Sequence, residues 1–122
     1  MFDIDFYTDS SGEKPIKNFI KDLEKKSITS KNDRIRVDKI LTYIHILECY
    51  GIRAGKPYVD HIEGNIWELR PMRDRIFFFL EKDNKFILLH HFLKKTQKTP
   101  KRELDQAKRN MKYHLERSEE DE

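Results

Sequence analysis

Apolar and polar positions alternate at the start of the chain. Phe2, Ile4 and Phe6 are interleaved with Asp3, Asp5 and Tyr7, the period-two signature of a half-buried strand. Thr8 to Gly12 is turn-like, and Pro15 suits the first turn of a helix. The period then changes: Ile16, Phe19, Ile20 and Leu23 fall at i, i+3, i+4 and i+7, one apolar face of a helix. Ser30 with Asp33 three residues on forms a capping-box-like start. Val37, Ile40, Leu41, Ile44 and Leu47 continue as a second helical stripe, with Gly51 placed to end it. The two helices, joined through Lys25 to Thr29, predict a helical hairpin.

Beyond Gly51 the pattern becomes β-branched and aromatic. Ile66–Arg70, Arg75–Glu81 and Lys85–Leu93 read as strands, and Asp83-Asn84 supplies a hairpin turn between the last two. Pro100 opens a final helix with a narrow stripe of Leu104, Ala107, Met111 and Leu115. The predicted order is strand, helix, helix, three strands, helix. That is an α+β fold: a small, mainly antiparallel or mixed sheet, an N-terminal helical hairpin and a C-terminal helix, with the helices expected on one face. Residues 1–117 form one expected domain, followed by an acidic tail at 118–122.

Composition narrows the class. Charged residues make up 39% and hydrophobic residues 37% of 122, so the core is modest and the surface densely charged. A single cysteine, Cys49, forbids an internal disulfide. Met1 leads straight into Phe-Asp-Ile-Asp-Phe rather than a secretory signal, and the longest apolar runs are too short for a bilayer. A cytoplasmic protein with no membrane partner is expected. The net charge of +3 conceals an asymmetry: Ser118 to Glu122 hold four acids, and Lys94 to Arg117 hold nine bases against three acids. Such a localised basic excess suits a polyanion partner.

Three segments carry a resemblance. Ile66-Trp67-Glu68-Leu69-Arg70-Pro71, then Arg75-Ile76-Phe77-Phe78-Phe79, then His90-His91-Phe92-Leu93-Lys94-Lys95-Thr96-Gln97-Lys98-Thr99-Pro100, with Ala107-Lys108-Arg109 downstream, resemble the phage-related, HigB-like branch of the RelE/ParE toxin superfamily. The resemblance implies a twisted sheet flanked by two N-terminal helices and a C-terminal one. It also implies the toxin of a type II toxin–antitoxin pair: a metal-independent, ribosome-dependent mRNA endonuclease, suppressed by a cognate helix-turn-helix (HigA-like) antitoxin. Operator DNA would be met only through that antitoxin. ParE-like members of the superfamily instead inhibit DNA gyrase, which is the alternative activity. In the family, the arginine corresponding to Arg75 and the bases after the last strand resemble those assigned to phosphate.

A metal-free ribonuclease must deprotonate the ribose 2′-hydroxyl, stabilise a phosphorane and protonate the leaving 5′ oxygen. Fixed cations serve the second task, and clustered ones depress each other's pKa so that a Lys can serve as a base. Arg70, Arg73 and Arg75 flank one strand connection, and Lys94 and Lys95 follow the last strand. In an antiparallel meander all five converge at one sheet edge, unless each is simply a solvated strand end. Lys98, Lys101 and Arg102 follow as RNA-binding positions. Adjacent strand residues His90 and His91 point to opposite faces, His90 with Phe86, Leu88 and Phe92, and His91 with Ile87, Leu89 and Leu93. His91 shares parity with Lys95 and is the candidate general acid. Tyr113 and His114 on the last helix match family tyrosine or histidine groups less securely. No Cys/His/Asp spacing fits zinc, and Gly51 and Gly55 form no phosphate loop, so no metal or cofactor is expected. Trp67 and Phe77 to Phe79 read as core rather than base-stacking groups. A plain RNA-binding module is the third reading.

Overall fold

The N-terminal alternation produces β1 (Asp3–Phe6), and Pro15 sits at the start of α1 (Pro15–Lys26), whose last turn carries Lys25 and Lys26 at its negative end. Ser30 caps α2 (Lys31–Tyr50), its hydroxyl accepting the Asp33 N–H at 3.2 Å. Gly51 ends α2 with φ +62°, and a Cβ there would lie 2.7 Å from the Phe2 ring, so glycine is required twice over. One 3₁₀ turn (Gly51–Ala54) leads to β2 (Val59–Glu63), β3 (Ile66–Leu69), β4 (Asp74–Glu81) and β5 (Lys85–Leu93). Asp83 and Asn84, both at positive φ, make the tight turn between β4 and β5. The last helix, α3 (Lys101–Glu120), continues through part of the segment expected as an acidic tail. The computed structural model describes residues 1–120, and residues 121–122 of that tail lie outside the described residues.

The sheet order is β1-β5-β4-β3-β2, with β1 parallel to β5 and every other pair antiparallel. The fold is α+β, with a mainly antiparallel mixed sheet, as the pattern implied. Strand β2 was not anticipated. Its apolar residues, Val59 and Ile62, are three apart because a bulge between His61 and Glu63 breaks the period of two.

The helices do not share one face. Ile16, Ile20 and Leu23 of α1 and Val37, Ile40 and Leu47 of α2 pack on Val59, Leu69, Ile76, Phe78, Phe86 and Leu88. Ala107, Leu104 and Met111 of α3 pack on Ile66, Phe77, Phe79, Ile87, Leu89 and Phe92, on the opposite side. The reason lies in β4 and β5, whose unbroken apolar runs are buried on both faces and need cover on both. Phe77, Phe78 and Phe79 are core, as expected.

A second bulge decides where the histidines point. Phe77 pairs with His90 and Phe78 with Leu88, so Leu89 is the extra residue. The simple alternation is thereby reversed. His90 joins the α3 side, 3.2 Å from Glu103, and His91 turns to the hairpin side, stacked on Phe19 at 3.9 Å between centroids.

Candidate active site

The β3–β4 connection brings the basic residues together. Asp74 N–H donates to Pro71 O, which tightens the turn, and Lys94 N–H donates to Arg73 O at 2.8 Å, which holds the end of β5 beside it. Arg73, Arg75, Lys94, Lys95, Thr96 and Gln97 line an open cleft of about 350 Å³. Four of the five cations expected at one edge therefore meet. Arg70 is not among the lining residues. Lys98, Lys101 and Arg102 are exposed on the connection to α3 and on its first turn, outside the cleft lining.

Arg75 is the most constrained of these cations. Its side chain is about 10% exposed, and Nη1 donates to the carbonyl oxygens of Met72 (2.6 Å) and Asp74 (2.9 Å). Nε lies 3.3 Å from Glu68 Oε1, and Nη2 is uncommitted among the described residues. Burial lowers its pKa, opposed by Glu68, but a guanidinium stays charged throughout the working range. Its own turn thus fixes it before any ligand arrives.

Glu68 is the group that pattern alone did not single out. It lies on the α3 side of β3, opposite Phe77, and is 2% exposed. Arg75 Nε at 3.3 Å and Arg70 Nε at 3.5 Å approach the same oxygen, and Arg70 also reaches Asp60 at 3.7 Å. Burial pushes the Glu68 carboxyl above the usual glutamate range, against the pull of Arg75, Lys94 and Arg70. Glu68 Oε2, Arg70 Nε and Arg75 Nε are buried atoms without a hydrogen-bond partner, all in one cluster. The signal was a charged residue in mid-strand, flanked by apolar neighbours on a strand paired on both sides.

Asp74 presents the contrast. It is 1% exposed and fully engaged: Arg36 donates through Nε (2.8 Å) and Nη2 (2.7 Å), and His91 Nε2 lies 2.7 Å from Oδ1. Burial is the largest influence and raises its pKa, but the donors Arg36 and His91 together outweigh it and hold it below the ordinary value. His91 is therefore pinned between Asp74 and Phe19 on the hairpin side, whereas Arg75 pairs with Phe92 on the other. Tyr113 and His114 also lie away from the cleft. His114 pairs with Glu81, at the far end of the strand that begins beside Arg75, and Tyr113 packs on Tyr7.

Among the described residues, no group of three or more His, Cys, Asp or Glu is placed to hold a metal, and no helix is long and apolar enough to cross a membrane. Residues 18–112 match the phage-derived Gp49-like protein family (DUF891). The chain belongs to the Gp49-like family. That family is RelE/toxin-like, and its span here runs from α1 to the middle of α3, so it includes every cation of the cleft. No curated protein matches this Gp49-like chain.

Proposed function

We propose that this Gp49-like protein is the HigB-like toxin of a type II toxin–antitoxin pair, acting in the cytoplasm as a metal-independent, ribosome-dependent mRNA endonuclease. The observation that carries the reading is the cleft of Arg73, Arg75, Lys94 and Lys95, with Arg75 held in place by two backbone carbonyls. Four cations converging on one open cleft repel one another, a cost that a bound phosphate relieves. In the reaction they bind the scissile phosphate and offset the negative charge that grows on the phosphorane, without reorganising as it grows. Lys98, Lys101 and Arg102 extend the positive surface along the RNA backbone.

A cognate HigA-like, helix-turn-helix antitoxin is the proposed inhibitor, and it alone brings the pair to operator DNA. It covers part of the α1–α2 hairpin. Lys17, Lys21, Lys25, Arg34 and Lys39 are exposed there, and so are the apolar side chains of Ile28, Ile35 and Leu41. A toxin enlarged on that flank is kept out of the decoding site by bulk alone.

Primer extension on mRNA from cells expressing the protein tests the activity. Cuts aligned with the reading frame support it. DNA damage without mRNA cuts would instead indicate ParE-like gyrase inhibition, and growth arrest with neither would leave an RNA-binding module.

A further inference from the structure

We propose that Glu68 is the proton acceptor for the attacking 2′-hydroxyl, kept covered by Arg70 and Arg75 until a phosphate engages the cleft. This rests on the endonuclease reading above and assigns a residue to the first of the three tasks, deprotonation of the 2′-hydroxyl.

The two buried carboxylates at this end of the sheet differ in kind. Asp74 accepts three short contacts from Arg36 and His91, as a carboxylate does when it holds a fold together. Glu68 is as deeply buried, yet Arg70 and Arg75 approach only one of its oxygens, at 3.5 and 3.3 Å, and Oε2 has no partner. A carboxylate kept only to neutralise two arginines would take their paired N–H groups on both oxygens. Buried polar atoms left unmatched are uncommon in folded proteins, and here all three belong to one cluster beside the cleft, with Arg75 common to both.

Access and basicity both follow from the surroundings. Arg75 is anchored by the carbonyls of Met72 and Asp74, whereas Arg70 is held only by contacts of 3.5 and 3.7 Å and is the looser cover. A phosphate drawn in by Arg73, Lys94 and Lys95 attracts Arg70 outward, away from Oε1, and so opens the Glu68 carboxylate to the cleft. The groups facing Glu68 are Asp60 from β2, Arg70 just after β3, Arg75 on β4 and Lys94 after β5. Burial outweighs the attraction of these cations, so the carboxylate binds a proton more readily than an exposed glutamate.

In the step, the 2′-O–H bond breaks and its proton passes to Glu68 as the 2′ oxygen bonds to phosphorus. The P–O5′ bond breaks, and the 5′ oxygen takes a proton from the ammonium of Lys94 or Lys95. The products are a 2′,3′-cyclic phosphate and a 5′-hydroxyl. Exchange with water then returns both groups to their starting states.

The test is single-turnover cleavage of mRNA on programmed ribosomes by the wild-type protein and by Glu68→Gln. Binding is measured in parallel on an mRNA bearing a 2′-deoxy nucleotide at the cut site. The expected loss in rate is about 10²- to 10⁴-fold, with ribosome binding within about threefold and the variant folded at neutral pH. In the wild-type protein, the rate should fall on the acid side with an apparent pKa above the ordinary glutamate value of 4.5. A Glu68→Gln protein that cuts within about threefold of wild type overturns the assignment, as does one whose binding falls as far as its rate. If that variant does not fold, the wild-type profile decides: a rate unchanged down to pH 4.5 removes Glu68 as the base. Absence of any cut by the wild-type protein refutes the endonuclease reading itself, and this assignment with it.

Discussion

The Arg36–Asp74 pair ties the helical hairpin to the sheet, and its removal should be felt throughout the fold. Arg36→Ala strips two donors from a carboxylate that is 1% exposed and leaves it with His91 alone. Breaking a buried ion pair from one side costs about 3–5 kcal/mol, because the remaining charge stays buried. Arg36 keeps 29% of its side-chain surface exposed, so water reaches one partner and the lower figure, about 3 kcal/mol, applies. An unfolding entropy of about 2.1 cal/mol/K per residue, over 122 residues, converts this to a fall in Tm of about 12 °C. The charge must matter as well as the packing of Arg36 over Phe19, which lies 5.2 Å from its guanidinium carbon. A double-mutant cycle with Asp74→Asn separates the two, and about 2 kcal/mol of coupling is expected. Because the folded Asp74 carboxyl titrates below 3.8, its stabilisation is complete above that pH and is lost as pH falls through the folded value. Wild-type and Arg36→Ala melts should therefore converge in acid. A coupling under about 0.5 kcal/mol, or a Tm gap unchanged down to pH 2, would refute the reasoning.

Arg75→Ala should lower cleavage by about 10²- to 10³-fold, the usual loss for one preorganised donor. Arg75→Lys should also be poor, since an ammonium cannot hold the Met72 and Asp74 carbonyls and reach a phosphate together; full toxicity of well-expressed Arg75→Ala would exclude its role. Glu68→Gln should melt at or above the wild-type temperature at pH 7 and no higher below pH 4.5. A carboxyl raised by folding penalises the folded state only once pH rises through the unfolded value, and calorimetry at the two pH values reads the sign. Cleavage should persist in a chelator on intact ribosomes, and activity that tracks a tightly bound zinc or manganese would contradict the mechanism. Hydrogen exchange on a toxin–antitoxin complex should show protection within residues 14–50; protection confined to 66–100 would place the inhibitor on the cleft instead.

Most of the fold was legible because its periods are clean. The helical stripes, the Ser30 cap, the Gly51 stop and the Asp83-Asn84 turn each rest on local chemistry that tertiary packing reinforces. What pattern could not reach were the irregularities. The bulge at Ile62 hid β2, because it spaced the only apolar residues of that strand by three. The extra residue Leu89 exchanged the faces of His90 and His91, since one inserted residue inverts every side chain after it. Lys95 lies beyond β5, so the parity that linked His91 to it had no strand to run along. The convergence of Arg73, Arg75, Lys94 and Lys95 needed only an antiparallel meander, which is why it could be read without coordinates.

Asp74 and Glu68 show why charge in a sequence does not declare its use. Both are acids near the same end of the sheet, both are nearly inaccessible, and each has arginine beside it. The difference is where the arginine comes from. Arg36 reaches Asp74 from a helix, with room to aim both of its nitrogens at the carboxylate, and the pKa falls. Arg70 directly follows the strand of Glu68 and Arg75 rises from the neighbouring strand, so their roots are fixed close to the carboxylate and both approach only one oxygen. Burial then outweighs attraction, and the pKa rises. The same residue types thus give a structural clasp in one place and an unsatisfied, proton-seeking group in the other. The second is the arrangement that a site for proton transfer requires.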